Sequence, residues 1–492
     1  MIFWRVKPLD QILATAEKKA LKRQLGALQL TLLGIGAIIG TGIFVLTAEA
    51  AQKAGPAMMI AFVIAAIVCA LAALAYAELA AMLPVSGSAY TYTYGVLGEA
   101  LAWIVGWALV LEYAVAAGAV AVGWSGYANG WLDYVNLGLP EALRTGPYSG
   151  GSFNLLAFLL VWLIGGLLVI GTSKSAAVNA VLVAIKIIAL IGFIFVALPA
   201  AKAENFEPFM PTGWGSAATG LGVLGAAASI FFAYVGFDAV STASEETRNP
   251  NRNIPIGLIG SLAVCTVFYL LIGYAAVGAG GAQPMLGPDG VPLAPGSAAL
   301  TEACRGSAAL VCSTEPLAHV VRELGMPTLA WFIGTAATIA LPSVVLMMIF
   351  GQTRIFFTMS RDGLLPEALS KIHSRFHTPH VITIVTTLAV SLFAAMFPVG
   401  LLADISNSGT LFAFLMVAVA VLILRRTQPD RPRPFRTPAA LIVCPLAVAG
   451  CLLLFINLSA LAQTVFISWA AFGLLVYYAY GFDKSHLAAK RT

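Results

Sequence analysis

The chain has 492 residues, 60% hydrophobic and only 10% charged, with a formal net charge of +5 and a mean hydropathy of +0.91. That balance excludes a soluble globular protein of this size and indicates a polytopic membrane protein. The basic excess gathers at the edges of apolar segments, so it is not a nucleic-acid footprint.

Residues 1–26 contain Lys7, Asp10, Glu17, Lys18 and Lys19 and no cleavable leader; they are expected to form a cytoplasmic tail. About twelve segments can span a bilayer: 27–50, 56–82, 98–126, 154–171, 176–199, 219–243, 255–278, 327–353, 380–397, 400–424, 439–458 and 463–481. Pro56, Pro84, Pro255, Pro327, Pro379, Pro398 and Pro438 are expected near their edges.

The first span holds Gly34, Gly36, Gly40 and Gly42. Each glycine costs about 1 kcal/mol in a helix interior relative to alanine. A helix broken in hydrocarbon frees backbone N–H and C=O groups that must find partners, so such a break lines an enclosed cavity. Gly40, Thr41 and Gly42 therefore read as an unwound point able to hold a small polar ligand. The alternative is close helix packing through the pair Gly36 and Gly40.

In the third span, Glu112 suits either a substrate cation or a structural hydrogen bond. Lys186 lies mid-span in the fifth, where an ammonium needs carbonyl partners or loses its proton. It reads as a proton carrier or as a charged structural peg. The sixth span is interrupted at Gly236 within Val235-Gly236-Phe237-Asp238. Glu78, Asp238 and Asp404 are expected to cap or tie helices. Cys304 and Cys312 share one polar loop, where a local disulfide forms if the loop faces an oxidising compartment. The cluster His373, His377 and His380 has no accompanying carboxylate or thiol set, so neither a metal nor a cofactor is expected.

Lys and Arg set the orientation. With the N-terminus inside, inner stretches hold Arg5, Lys22, Arg23, Lys174, Arg248, Arg354, Arg425, Lys490, Arg491 and others, whereas outer ones hold only Lys53, Arg144, Lys202, Arg305 and Arg322. Both termini are then cytoplasmic. The spans divide into 27–199 and 200–424, the latter with an outer loop at 279–326, followed by 425–481 and a cytoplasmic tail at 482–492. Five spans is an odd number, so the second set is inverted, and its first member is interrupted like that of the first set. Matching breaks in inverted halves point to a transport site at the midplane.

Several stretches resemble the amino-acid/polyamine/organocation transporters, most closely the cationic amino acid transporter branch. They are Gly40-Thr41-Gly42-Ile43-Phe44, Pro84-Val85-Ser86-Gly87-Ser88-Ala89-Tyr90, Phe237-Asp238 with Glu245-Glu246-Thr247-Arg248-Asn249-Pro250, and Ser360-Arg361-Asp362-Gly363-Leu364-Leu365-Pro366. The resemblance implies an all-α fold of 12 transmembrane helices, a five-plus-five inverted repeat plus two, with helices 1 and 6 unwound at mid-membrane. It implies that Thr41 and Gly42 hold an α-carboxylate and that the carbonyls of Ile38, Phe232 and Val235 hold the α-ammonium. Phe232 matches an aromatic gate, Lys186 a cation-replacing lysine, and Ser343 a hydroxyl completing its bridge between the first and eighth helices. Pro342 is unexpected there and would kink the eighth helix. Met348 is a candidate for setting pocket size, or plain packing.

The expected function is import of L-amino acids, cationic or small neutral, across the cytoplasmic membrane with protons. An exchanger or a polyamine permease of the same fold is the alternative. A non-transporting sensor is a weaker one, and no constellation in the spans suggests an enzyme. Nothing in the sequence demands an oligomer.

Overall fold

The computed structural model describes residues 5–10, 12–13, 25–85, 88–171, 176–243, 246–376 and 378–489. Glu17, Lys18, Lys19, Lys22, Arg23, Ser86, Gly87, Lys174, Glu245, His377, Lys490 and Arg491 lie outside the described residues. Within them the chain is all-helical, without a named strand. Seven helices are long and apolar enough to cross a membrane, and Ala27–Ile38, Leu155–Ile170, Gly222–Tyr234, His380–Met396 and Ala440–Ile456 are shorter apolar helices. Leu163, Phe195, Leu441 and Leu475 stand exposed on the outside of the bundle, the surface that hydrocarbon covers.

The centre is the helix Glu99–Tyr134, whose most apolar window is 89% buried, against 22% for Ala460–Lys484 at the rim. Val399–Thr427 and Pro342–Arg361 pack on this pillar, and Pro250–Gly280 packs on Ala27–Ile38 and Met58–Met82. One end of the bundle carries the long loops 135–154, 198–221 and 281–326. The opposite end is basic and carries residues 5–10, 12–13, 83–85, 88–98, 362–376, 378–379 and 428–439.

Two expectations are corrected. Pro255 does not mark an edge: it lies inside the helix Pro250–Gly280, which starts with Pro250 at its first turn. A proline this close to a helix start sacrifices few backbone bonds. Lys53 is not a loop cation either. It is 3% exposed, and its ammonium lies 3.2 Å from Asp404 and 3.3 Å from Glu49 while donating to Ser229. Helix Leu46–Ala54 continues beyond the first break and carries Lys53 into the bundle.

At the basic end, Glu78 accepts from Arg425 at 2.6 Å and from the backbone N–H of Thr437 at 2.7 Å. It thereby ties Met58–Met82 to the chain leaving Val399–Thr427. Lys7 meets Asp362 at 3.0 Å, and Tyr90 donates to the other oxygen of that carboxylate. His373 accepts the N–H groups of Arg375 and Phe376 at its Nδ1, a local turn contact. In the long loop, Cys304 and Cys312 are joined by a disulfide.

Candidate functional site

Helix Ala27–Ile38 stops at Ile39, which is extended (φ −71°, ψ 96°), and Gly40 is extended too (φ −146°, ψ −149°) before a short helix resumes at Thr41. In the second half, Gly222–Ile230 passes into a 3₁₀ turn over Phe231–Tyr234. Val235 is extended (φ −62°, ψ 138°), and Gly236 has φ +115°, a conformation that favours glycine. Asp238 stands at the N-cap of Ala239–Thr242 and is 3.4 Å from the Tyr113 hydroxyl.

The two breaks adjoin. A Cβ on Gly236 would stand 2.9 Å from the Ala37 carbonyl oxygen, and one on Gly42 would overlap the Ala233 backbone. The Tyr269 hydroxyl lies 2.9 Å from the carbonyl oxygens of both Ile38 and Ala233, which fastens one broken helix to the other. Tyr127 donates to the Phe44 carbonyl at 2.7 Å and holds the resumed helix against the pillar. Gly123 of the pillar faces the Thr41 methyl, where a side chain would overlap it.

Thr41 is 1% exposed, and its hydroxyl has no hydrogen-bond partner. The Gly42 N–H sits in the first turn of a helix, where amides are free of intrahelical acceptors. Together they form a small buried donor set at a helix N-terminus, suited to an anion. Phe232 and Val235 are buried within the second break, and Met348 is buried on Pro342–Arg361. The Phe232 carbonyl already accepts from the Val235 N–H at 3.2 Å.

Lys186 is 1% exposed and donates to the carbonyls of Gly36 at 3.1 Å and Ile39 at 2.8 Å. One belongs to the last turn of Ala27–Ile38 and the other to its C-cap, the negative end of that helix. The Ser343 hydroxyl donates to Ala340 at 2.7 Å, at the joint where Pro327–Ala340 gives way to Pro342–Arg361. Glu112 is 2% exposed, with one carboxyl oxygen unpartnered and its Cβ beside Gly409.

Beyond Gly123 a cavity of about 450 Å³ lies at the long-loop end, between the faces of Leu46–Ala54 and Glu99–Tyr134. Sequence reasoning missed two residues of its wall and the tyrosine that fastens the breaks. Glu49 falls inside the first expected span and was not singled out. Asn129 sat past the expected end of the third span. Tyr269 was one aromatic on an apolar helix; its spacing from Cys265 and Ile272 on one buried face was its only signal.

The family model for amino acid permeases matches residues 25–478. The chain belongs to the amino acid permease family. Its members are transporters, not enzymes, and the wider group is the amino-acid/polyamine/organocation superfamily. The chain is 42% identical over 490 residues to the branched-chain amino acid permease BcaP of Bacillus subtilis, covering 99% of each chain. It is 40% identical to the methylthioribose transporter of the same organism, over 98% of this chain and 99% of that one. It is 34% identical to the vacuolar cationic amino acid transporter 4 of Arabidopsis thaliana, over 83% of this chain and 64% of that one. As an amino acid permease with seven long apolar helices, it is a multi-pass membrane protein.

Proposed function

We propose that this permease imports L-amino acids with apolar, branched side chains by alternating access, driven by protons. The observation that carries this is the meeting of two helix breaks around a buried, unpartnered Thr41 hydroxyl. The α-carboxylate takes that hydroxyl and the Thr41 and Gly42 amides. The α-ammonium takes carbonyls at Ile38, Phe232 and Val235. Every amino acid shares this head, so the side chain is read elsewhere, by Phe232 and Met348. The branched-chain preference rests on the name of the full-length relative from Bacillus subtilis; the apolar Phe232 and Met348 agree with it.

Proton coupling rests on Lys186. Its ammonium holds the end of the first helix through two carbonyls, and deprotonation would weaken that hold and bias which side opens. In this reading the seven long and five shorter apolar helices make twelve crossings in two inverted halves plus two. The basic end is cytoplasmic, with both termini there, and the long-loop end with its disulfide is outside. The test is uptake of labelled leucine into proteoliposomes with an inward proton gradient: accumulation above equilibrium supports the proposal. Gradient-independent exchange would leave an exchanger.

A second reading comes from the methylthioribose transporter, similar across nearly the whole chain. A thio-sugar has neither carboxylate nor ammonium, so it leaves the Thr41 and Gly42 donors without an anion. Competition of leucine uptake by methylthioribose, and by putrescine for the polyamine alternative, separates these readings.

A further inference from the structure

The cavity at the long-loop end is built by glycines. Gly126 and Gly130 on the pillar face Thr314 and Glu315, and Gly400 faces Glu49; a Cβ at any of the three would overlap its neighbour. Their absence of side chains lets the Glu49 and Glu315 carboxylates reach the cavity wall. The cations that pair with them do not line it. Lys53 is shared between Glu49 and Asp404, so that trio carries one more negative than positive charge when all are ionised. Arg322 holds Glu315 from the side at 2.5 Å. Among the described residues the one cation on the wall, Arg144, is engaged by both oxygens of Asp133.

An independent observation points the same way. Asn129 is 7% exposed, lines the cavity, and its side-chain carbonyl oxygen has no hydrogen-bond partner. A buried acceptor left open is costly unless a donor visits it. Among the described residues the wall thus brings together the Glu49 carboxylate and the Asn129 side chain, and its cation, Arg144, is already paired with Asp133.

We propose that this cavity is a second, outer site that binds the primary ammonium group of a ligand, with Asn129 and Glu49 as its acceptors. The proposal rests on the amino-acid reading for its physiological ligand: the ammonium docks here while the carboxylate waits to reach the donors at Thr41. An amine without a carboxylate binds this site, and a carboxylate without an amine does not.

The test uses the full chain in lipid nanodiscs, with isoamylamine and 4-methylpentanoate as probes and calorimetry as the readout. Isoamylamine is expected to bind the wild type, and any 4-methylpentanoate held by the Thr41 and Gly42 donors is expected to bind Asn129→Leu equally well. Asn129→Leu and Glu49→Gln are each expected to weaken amine binding about tenfold, the scale of one buried hydrogen bond. Asn129→Leu is also expected to raise the KM for leucine uptake with kcat unchanged. Thermal unfolding of each variant reports whether it is folded. Absence of amine binding to the wild type, or equal binding by folded Asn129→Leu, overturns the outer site. Absence of leucine uptake by the wild type overturns the amino-acid reading instead, and amine binding remains readable in that case.

Discussion

Thr41 and Lys186 carry opposite kinds of signal. Lys186 is legible because a charge inside an apolar run demands partners, and it has two at the end of the first helix. Lys186→Ala is expected to abolish gradient-driven accumulation of leucine while leaving counterflow between preloaded vesicles and medium; retention of full uphill uptake would remove the coupling argument. Thr41 is an ordinary polar residue in sequence, marked only by its flanking glycines. Gly42 marks it because the resumed helix meets the Ala233 backbone there. Gly42→Ala forces that backbone apart, an overpacking of about 1–3 kcal/mol. A lowered unfolding midpoint together with lost leucine binding is the expected result.

At the scale of elements, both breaks were readable from glycine in apolar spans, since a glycine that weakens a helix in hydrocarbon implies a cavity beside it. The fastening between them was not. Tyr269 reaches carbonyls 231 and 36 residues away in sequence, and no local pattern encodes a contact of that kind. Tyr269→Phe removes the hydroxyl and keeps the ring, which packs edge-on against Tyr234 at 5.2 Å. The expected loss is about 1 kcal/mol of stability, with weaker leucine binding, measured by thermal unfolding and calorimetry. Lys53 was misread for a related reason. A helix that resumes after a break carries its later residues inward, and composition alone assigns such a lysine to a loop.

For the whole molecule, the family, the helical class and the membrane setting followed from hydropathy and motif order, whereas the cavity wall depends on which helices face each other. The basic end carries partly buried ion pairs. Glu78 is 1% exposed and holds Arg425 at 2.6 Å, so Glu78→Gln leaves the guanidinium under-compensated. Removing one partner of such a pair costs about 3–5 kcal/mol when both are buried, and less here because Arg425 is partly exposed; a clear drop in unfolding midpoint is expected.

In the long loop, burial pushes the Glu315 carboxyl above its ordinary range, and the Arg322 guanidinium draws it partly back. A raised folded-state value means the folded chain binds the proton more tightly than the unfolded one. Stability from this group is therefore present at acid pH and lost as pH rises from the unfolded value through the folded one. Glu315→Gln removes that slope, so the variant is expected to gain on the wild type as the pH rises above the ordinary carboxylate range, read as the difference in unfolding midpoint.

The most direct measurement is a cryo-electron microscopy map of the protein with bound leucine. The expected map puts the α-carboxylate on the Thr41 hydroxyl and the Gly42 amide, between the two broken helices, with the isobutyl group toward Phe232 and Met348. A map with ligand elsewhere and continuous helix through residues 38–42 and 232–236 would contradict the site.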